Sequence, residues 1–457
     1  MNDDLKRKKI GIITLGCDKN TVDDEYLAGL LEDSGFEVVP IEDFDGKECF
    51  DVVIVNTCGF ILDAKKQSAE VIGKIADIKK DSGNPQIFIV IGCLAQRYAQ
   101  EILKEVPEID AIFGVGQINS IVKFLKGEIV AEEKVVQVPK TPLVKVDNYI
   151  RRKKLLSGYY SFLKIADGCS HRCSFCAIPK MKGPYNSVPM DILLKEAEEL
   201  LNSGVKEINL IAQDITKYGR DLKGGYGLAE LIKELAKLKG EFWIRCLYCL
   251  PGGITKKFLN TIANEEKVAH YIDMPIQHTD PKLLKLMNRP SANLDIFVFT
   301  KQIRKLIPDI VLRTTVIVGF PGETFGAFKR LLKDLGQLRF ERLGAFTFSP
   351  EEGTPAEKLP KKISSLIAER RFQLLMETQS EISYEYNKSR IGKVYRVLVE
   401  RFDDAKRCWI GRSYAEAPEV DGIIWVNSKA PLQLGNFYNV RITSAETYDV
   451  VGEVVED

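Results

Sequence analysis

From the N-terminus to about residue 130 the chain alternates unbroken apolar runs with amphipathic stretches. IGIITLG precedes TVDDEYLAGLLEDSG, DVVIVNT precedes AKKQSAEVIGKIADIKK, QIFIVIG precedes AQRYAQEILKEV, and AIFGVG precedes INSIVKFLKG. Short continuous apolar runs read as strands buried on both faces, and the helical period between them reads as the covering layer. The alternation predicts an open parallel α/β domain over residues 1–130. Residues 131–160 carry prolines and the basic cluster Arg151 to Lys154 without a sustained period, which predicts a linker with a solvated charged patch. The alternation then resumes, with SFLKIADG, EINLIAQD, FWIRCLY, YIDMPIQH, IVLRTTVIVGFPG and RLGAFTFSP separated by helical patterns. About six βα units predict a partial, TIM-like βα barrel over residues 161–387. From residue 388 to residue 457 the runs become short, β-rich and punctuated by Gly, Pro and Asn. That pattern predicts a small five-stranded antiparallel β-barrel of the OB type.

Composition narrows the possibilities. The 457 residues are 45% hydrophobic and 28% charged, with 65 Lys and Arg against 64 Asp and Glu, so the whole chain has no basic field to gather nucleic acid. The C-terminal barrel leans acidic: from Arg412 onward three basic residues (Arg412, Lys429, Arg441) face eight acidic ones. Phosphate contacts depend on Lys and Arg, so a basic protein partner is the better match there. The charged start and the lack of any long apolar stretch predict a cytoplasmic protein without membrane contact. In a reducing compartment ten cysteines point to metal binding or catalysis more than to disulfides.

Cys169, Cys173 and Cys176 place three thiols at CxxxCxxC spacing with no fourth cysteine nearby. Thiolates are soft ligands for zinc or iron–sulfur clusters, and a structural site normally takes four. Three leave one metal position open for a substrate or cofactor. The alternatives are a zinc site completed by His171 or a distant residue, and chance clustering. Cys17, Cys58 and Cys93 each follow an apolar run, where a strand turns toward a helix. Ligands gather at the carboxyl ends of strands in open α/β sheets, so these three define a second site; the alternative is three buried apolar cysteines. Cys49 and Cys408 stand outside both patterns. The strand ends of the barrel carry Gln213, Asp214, Arg245, Tyr248, Asp273, Gln277, His278, Arg313 and Thr315, expected as a polar ring facing the cysteine loop. Val318 to Thr324, VGFPGET, adds a Gly–Pro turn suited to close backbone approach.

CxxxCxxC after the first strand of a βα barrel resembles the radical S-adenosylmethionine superfamily. The whole chain resembles its methylthiotransferases, which join an N-terminal three-cysteine domain, a radical barrel and a TRAM domain. LGCDKNTVDDE, VNTCGFILDAKKQS, GCLAQRY, IAQDITKYGRD, IDMPIQH and VGFPGET resemble the RimO-type branch, which modifies an aspartate of ribosomal protein S twelve. The tRNA-modifying branch carries a Gln-Met-Asn type motif after the first cysteine, where this chain has Asp18, Lys19 and Asn20. Asp18 stands where the pattern usually has proline, and Ala166-Asp167-Gly168 where Ser-Glu-Gly is commoner.

The resemblance implies a transferase. Cys169, Cys173 and Cys176 would hold a [4Fe–4S] cluster that binds S-adenosylmethionine and yields a 5′-deoxyadenosyl radical. Cys17, Cys58 and Cys93 would hold an auxiliary [4Fe–4S] cluster that delivers sulfur. Hydrogen abstraction from the aspartate β-carbon followed by methylthio transfer would use two molecules of S-adenosylmethionine. Gln213, Gln277 and Arg313 are the expected S-adenosylmethionine or substrate contacts; Arg313 is suited to a bidentate carboxylate, or else to a structural ion pair. Implied partners are ribosomal protein S twelve and an electron donor such as flavodoxin or ferredoxin, with the sulfur donor open. Alternative readings are a tRNA adenosine methylthiotransferase and a two-cluster electron-transfer or redox-sensing protein.

Overall fold

The computed structural model describes residues 8–129, 134–142 and 151–455. Of the expected linker, residues 131–133 and 143–150 lie outside the described residues.

The first layer system runs β1 (Lys9–Thr14), α1 (Asp18–Asp33), β2 (Glu37–Pro40), β3 (Val52–Thr57), α2 (Leu62–Ser82), β4 (Ile87–Gly92), α3 (Cys93–Glu105), β5 (Ala111–Phe113), α4 (Ile118–Leu125) and β6 (Val135–Gln137). All six strands are parallel, in the order β2-β1-β3-β4-β5-β6. Every residue of β3 is buried, and separate apolar clusters cover the two faces of the sheet. β2 and β6 were not expected. Each is only three or four residues long, too short for a recognisable apolar run, and β6 takes up part of the expected linker.

The second system begins with β7 (Tyr160–Lys164). A two-residue β8 (Ala166–Asp167) pairs with β9 (Asn186–Ser187), with the short α5 (Ile178–Lys182) between them. There follow α6 (Met190–Asn202), β10 (Glu207–Ile211), α7 (Leu228–Ala236), β11 (Trp243–Cys246), α8 (Lys256–Asn264), β12 (Val268–Asp273), α9 (Pro281–Leu286), α10 (Ile296–Leu306), β13 (Val311–Val318), α11 (Phe325–Leu338), β14 (Arg342–Thr347) and α12 (Ser365–Lys388). The order β14-β13-β12-β11-β10-β7 is parallel throughout and does not close, giving a six-stranded partial barrel.

The last system comprises β15 (Val394–Asp403), β16 (Cys408–Arg412), β17 (Ile424–Asn427), β18 (Phe437–Ala445) and β19 (Val450–Val454), which form a closed barrel. Four of its pairs are antiparallel and the fifth, β17 with β19, is parallel.

The three systems are wedged together. Val22 and Tyr26 of α1 join Phe162, Ile211, Leu247, Tyr271 and Val311 of the barrel interior, together with Ala415 and Ala417 of the C-terminal barrel. The segment from Ser413 to Asp421 closes the N-terminal mouth of the partial barrel, where Glu207 and Arg342 open their strands. Arg412 pairs with Glu207 at 2.7 Å, Arg245 with the same Glu207 at 2.6 Å, and Arg342 with Glu416 at 3.1 Å, while Arg390 also pairs with Glu416. Tyr271 donates to Asp421 at 2.6 Å and Tyr160 to Glu419 at 2.6 Å. Three of the eight acids counted toward an acidic C-terminal face are therefore bound into this seam. Charge counting from sequence overstates that face because it cannot see which carboxylates meet arginines from another domain.

The basic cluster also differs from expectation. Arg152 is buried and pairs with Glu25 of α1 and Glu196 of α6, and Lys153 donates to the Val38 carbonyl at 2.6 Å. A side chain at Gly29 would meet the Arg151 carbonyl at 1.9 Å, so the strap runs tight across α1 and ties the first two systems together instead of facing solvent.

Candidate functional site

The loop carrying Cys169, Cys173 and Cys176 leaves β8 and is held from both sides. The Cys169 amide donates to the Gly183 carbonyl at 3.0 Å, and the Cys176 amide to the Cys173 carbonyl at 3.2 Å. Between the second and third cysteines, Ser174 donates to the Met287 carbonyl through its amide (2.8 Å) and to the Leu286 carbonyl through its hydroxyl (2.7 Å); its own carbonyl accepts from Ala356 at 2.8 Å. The His171 amide is directed at the Cys169 sulfur and the Ile178 amide at the Cys176 sulfur. Arg289 Nη1 lies 3.6 Å from Cys173 Sγ, and its Nη2 donates to the Pro275 carbonyl at 2.7 Å.

Burial pushes the Cys169 thiol up and the Cys176 thiol up to about 12. Buried thiols of this kind stay protonated unless a metal ionises them, and coordination does so outright. The donor set of three sulfurs, directed amides and a guanidinium suits a thiolate-held cluster. In the zinc alternative His171 could contribute only Nδ1, since its Nε2 is engaged by Asp214 Oδ2 at 2.8 Å. Among the described residues no three His, Cys, Asp or Glu side chains converge on a single ion. A cubane spreads its thiolates over separate irons and needs no such convergence.

Cys58 and Cys93 directly follow the strands β3 and β4, and Cys17 comes three residues after β1, so all three lie beyond the ends of adjacent strands, as the apolar runs predicted. Cys17 caps the N-terminus of α1 and Cys93 opens α3, so two of the three sulfurs sit at helix starts, which favour negative charge. Burial pushes Cys58 up and Cys93 up to about 12. The loops approach so closely that only glycine fits between them. A side chain at Gly16 (φ +100°) would stand 2.7 Å from Cys58 Cβ. One at Gly59 would stand 2.9 Å from the Cys93 carbonyl, and one at Gly92 (φ +95°) 2.2 Å from Asn56 Oδ1. Asn20 donates to the Leu15 carbonyl at 2.7 Å and the Thr57 carbonyl at 3.3 Å, binding the ends of β1 and β3 together.

The two triads are neighbours. Ala177, which follows Cys176, and Met181 of α5 pack in one apolar cluster with Cys93 and Val115. Beside this contact lies a charge quartet in which all but Asp23 are buried. Asp23 of α1 pairs with Lys164 of β7 and, at 2.9 Å, with Lys182 of α5; Asp167 pairs with Lys164 at 3.0 Å and with Lys182 at 3.9 Å. Burial would raise the Asp167 carboxyl, but Lys164 and Lys182 outweigh it and hold the group well below the usual carboxylate range. Arg97 of α3 adds a second tie, to Glu351 beyond β14 at 2.9 Å and to the Gly59 carbonyl at 2.9 Å.

The other sequence-predicted residues divide. Gln213 donates to Asp167 Oδ1 at 3.3 Å, and its own Oε1 is buried without a partner. Gln277 holds φ +71°, with its backbone bridged to β13. Arg313 is held by Asp273 at 3.0 Å and Asp421 at 3.7 Å. Tyr248 (φ +60°) donates to Asp18 Oδ1 at 3.2 Å. Arg245 turns away to the C-terminal seam, and His278 accepts the Thr279 and Asp280 amides while meeting Glu323. The expected polar ring is therefore incomplete, because inward-pointing side chains of one strand serve either mouth of the barrel. Sequence reading missed Arg289, Lys182 and Asp23. Each is an ordinary charged residue in its segment, and only the partner it meets from another segment marks it.

Three family models match in succession: Uncharacterized protein family UPF0004 over residues 9–114, the Radical SAM superfamily over 163–335 and the TRAM domain over 391–455. A protein of Acetivibrio thermocellus named ribosomal protein uS12 methylthiotransferase RimO is 44% identical over 459 residues, covering 99% of each chain. One of the same name from a Thermoanaerobacter species is 43% identical, covering 98% of this chain and 100% of its own. Among solved structures, the radical S-adenosylmethionine methyltransferase TsrM from Kitasatospora setae, with cobalamin and a [4Fe–4S] cluster bound, superimposes with a TM-score of 0.56 at 15% identity. It covers 77% of this chain and 74% of its own, a likeness of fold alone.

Proposed function

The chain belongs to the family of radical S-adenosylmethionine enzymes named ribosomal protein uS12 methylthiotransferase RimO, and on that premise we propose that it adds a methylthio group to the β-carbon of an aspartate in ribosomal protein uS12. A [4Fe–4S] cluster and S-adenosylmethionine accompany the superfamily. We assign that cluster to Cys169, Cys173 and Cys176, and a second one to Cys17, Cys58 and Cys93. When bound, these groups supply reductive carbon–sulfur cleavage, hydrogen-atom abstraction and sulfur delivery at a carbon with no leaving group and no acidic proton.

The protein's part is positional. The Asp23, Lys164, Asp167 and Lys182 quartet fixes the spacing of the two triads, and the strap at Arg152 holds α1 against the barrel. The Ser413 to Asp421 segment closes the far mouth of the barrel against water. Gln213, with its unpartnered Oε1, and Gln277 are the residues we assign to S-adenosylmethionine. Arg313 already carries two protein carboxylates, which favours bracing over ligand binding. The observation that carries the reading is the shared packing of Cys93 with the residue after Cys176, since sulfur delivered at one triad has to meet a radical generated at the other.

We place the enzyme in the cytoplasm with a one-electron donor of the flavodoxin or ferredoxin kind. Among the described residues no helix is long and apolar enough to cross a membrane. Anaerobically reconstituted protein given reductant and S-adenosylmethionine is expected to form 5′-deoxyadenosine and to add the mass of one CH₂S unit to the ribosomal protein. The same gain on tRNA alone would overturn the substrate assignment.

A further inference from the structure

The proposed substrate sets a requirement that the triads themselves do not meet. An aspartate carries its carboxylate directly on the reacting β-carbon, so a negative charge enters a largely buried seam. Burying it unpaired is costly enough that a cation has to stand close to where it lands. Most cations bordering the seam are already matched by carboxylates from facing elements. Lys164 and Lys182 share Asp23 and Asp167, Arg97 meets Glu351, and Arg313 meets Asp273 and Asp421, while Arg289 is taken up by Cys173 Sγ and the Pro275 carbonyl.

Lys19 differs. Its side chain is 7% exposed, and among the described residues its one carboxylate partner is its own neighbour Asp18, at 2.9 Å. The ammonium lies 3.1 Å from the centroid of the Tyr248 ring. Tyr248 follows β11 at the carboxyl end of the barrel strands, and Lys19 follows Cys17 by two positions, so the ammonium stands between one triad and the barrel mouth. Tyr248 reaches this place with φ +60°, a conformation that bulky aromatic residues adopt only under constraint. Its hydroxyl donates to the same Asp18 oxygen that accepts from Lys19. A buried ammonium, an aromatic face beneath it and a carboxylate supplied from within the loop make a preformed carboxylate site with a local stand-in already in it.

We propose that Lys19 is the specificity-determining residue that recognises the carboxylate of the target aspartate, with Asp18 steadying the ammonium until the substrate arrives. This rests on the substrate reading above. The ammonium has three donors, of which Asp18 takes one, so an incoming carboxylate joins or displaces it while the ring supports the charge from the other side. An asparagine in the same position offers no matching charge, and an adenosine offers no carboxylate at all.

The test measures equilibrium binding of ribosomal protein uS12, and of its form with asparagine at the target position, to cluster-loaded enzyme without reductant. Wild-type enzyme is expected to bind the aspartate form about tenfold more tightly or better. Lys19→Met is expected to bring the ratio near one, Lys19→Arg to keep part of it, and Asp18→Asn to enlarge it by removing the competing carboxylate. A wild-type enzyme that does not distinguish the two forms, a ratio unchanged in Lys19→Met, or a ratio that falls in Asp18→Asn overturns the assignment. So does equal loss of both forms in Lys19→Met at wild-type iron content, which is the signature of a purely structural lysine. Methylthiolation of tRNA and not of the ribosomal protein by wild-type enzyme marks failure of the substrate reading instead.

Discussion

The two cysteine triads reach similar ends by different routes. Cys169, Cys173 and Cys176 lie within eight residues of sequence and are arranged by their own loop, through amides directed at sulfur and carbonyls offered by neighbouring segments. Cys17, Cys58 and Cys93 are separated by 41 and 35 residues and meet only because β1, β3 and β4 are adjacent parallel strands. A local site depends on its own turn geometry. An assembled site depends on the register of a whole sheet and on glycines that let three loops touch.

The sharpest way to break the comparison is at those glycines. Gly92→Val puts a branched side chain into the space held by Asn56 and the Thr57 carbonyl, at a positive φ that such residues avoid. Iron is expected to fall from about eight to about four per chain, two [4Fe–4S] clusters to one, with the loop triad still loaded; acid-labile sulfide and iron assays read this directly. Cys173→Ala should halve the iron from the other side.

Next in size is the link between the sites. Asp23→Asn leaves two buried lysines sharing one carboxylate, and breaking a buried pair costs about 3 kcal/mol even with the partial solvent contact that Asp23 keeps. The urea midpoint is expected to drop without a change in slope.

The two sites also respond to pH with opposite sign. Behind the assembled triad, burial pushes the Asp24 carboxyl up to about 8, against the hydrogen bonds it accepts from Thr14 and Asn56. The unfolded chain has lost this proton above the ordinary carboxylate range while the folded chain keeps it, so Asp24 lowers stability as pH rises from about 4 to 8. Beside the loop triad, Asp167 is held ionised, and its stabilisation is present above the unfolded carboxylate range and lost only in strong acid. Asp24→Ser is expected to flatten the decline between pH 4 and 8 in denaturant midpoints, while the acid limb stays.

The smallest effect is electronic and confined to one cluster. Arg289→Met removes a cationic donor 3.6 Å from Cys173 Sγ, which is expected to make the loop cluster roughly tenfold harder to reduce, about 59 mV more negative for one electron. The assembled cluster should keep its potential, as two-component redox titration followed by electron paramagnetic resonance would show.

Much of this architecture was legible in the chain. The strand runs, the helix periods and the strand-end positions of Cys17, Cys58 and Cys93 follow from patterning that acts within one element, and CxxxCxxC is a local spacing. Short pieces such as β2 and β6 were not legible, since three or four residues carry too little period to distinguish them from a loop. Charge was least legible. Arg152, Lys182, Arg245 and Glu416 look like surface residues in sequence and are buried pairs in the fold.

The sequence by itself determined the three layer systems, the two sets of thiols and the family they belong to, because hydrophobic period and ligand spacing are properties of a few adjacent residues. Only the tertiary structure decided that the triads share one packed contact, that the C-terminal barrel seals the radical barrel, and that Lys19 lies over Tyr248. Those arrangements depend on which remote segment covers a charge, and a buried charge is stable only where that segment brings its counterpart.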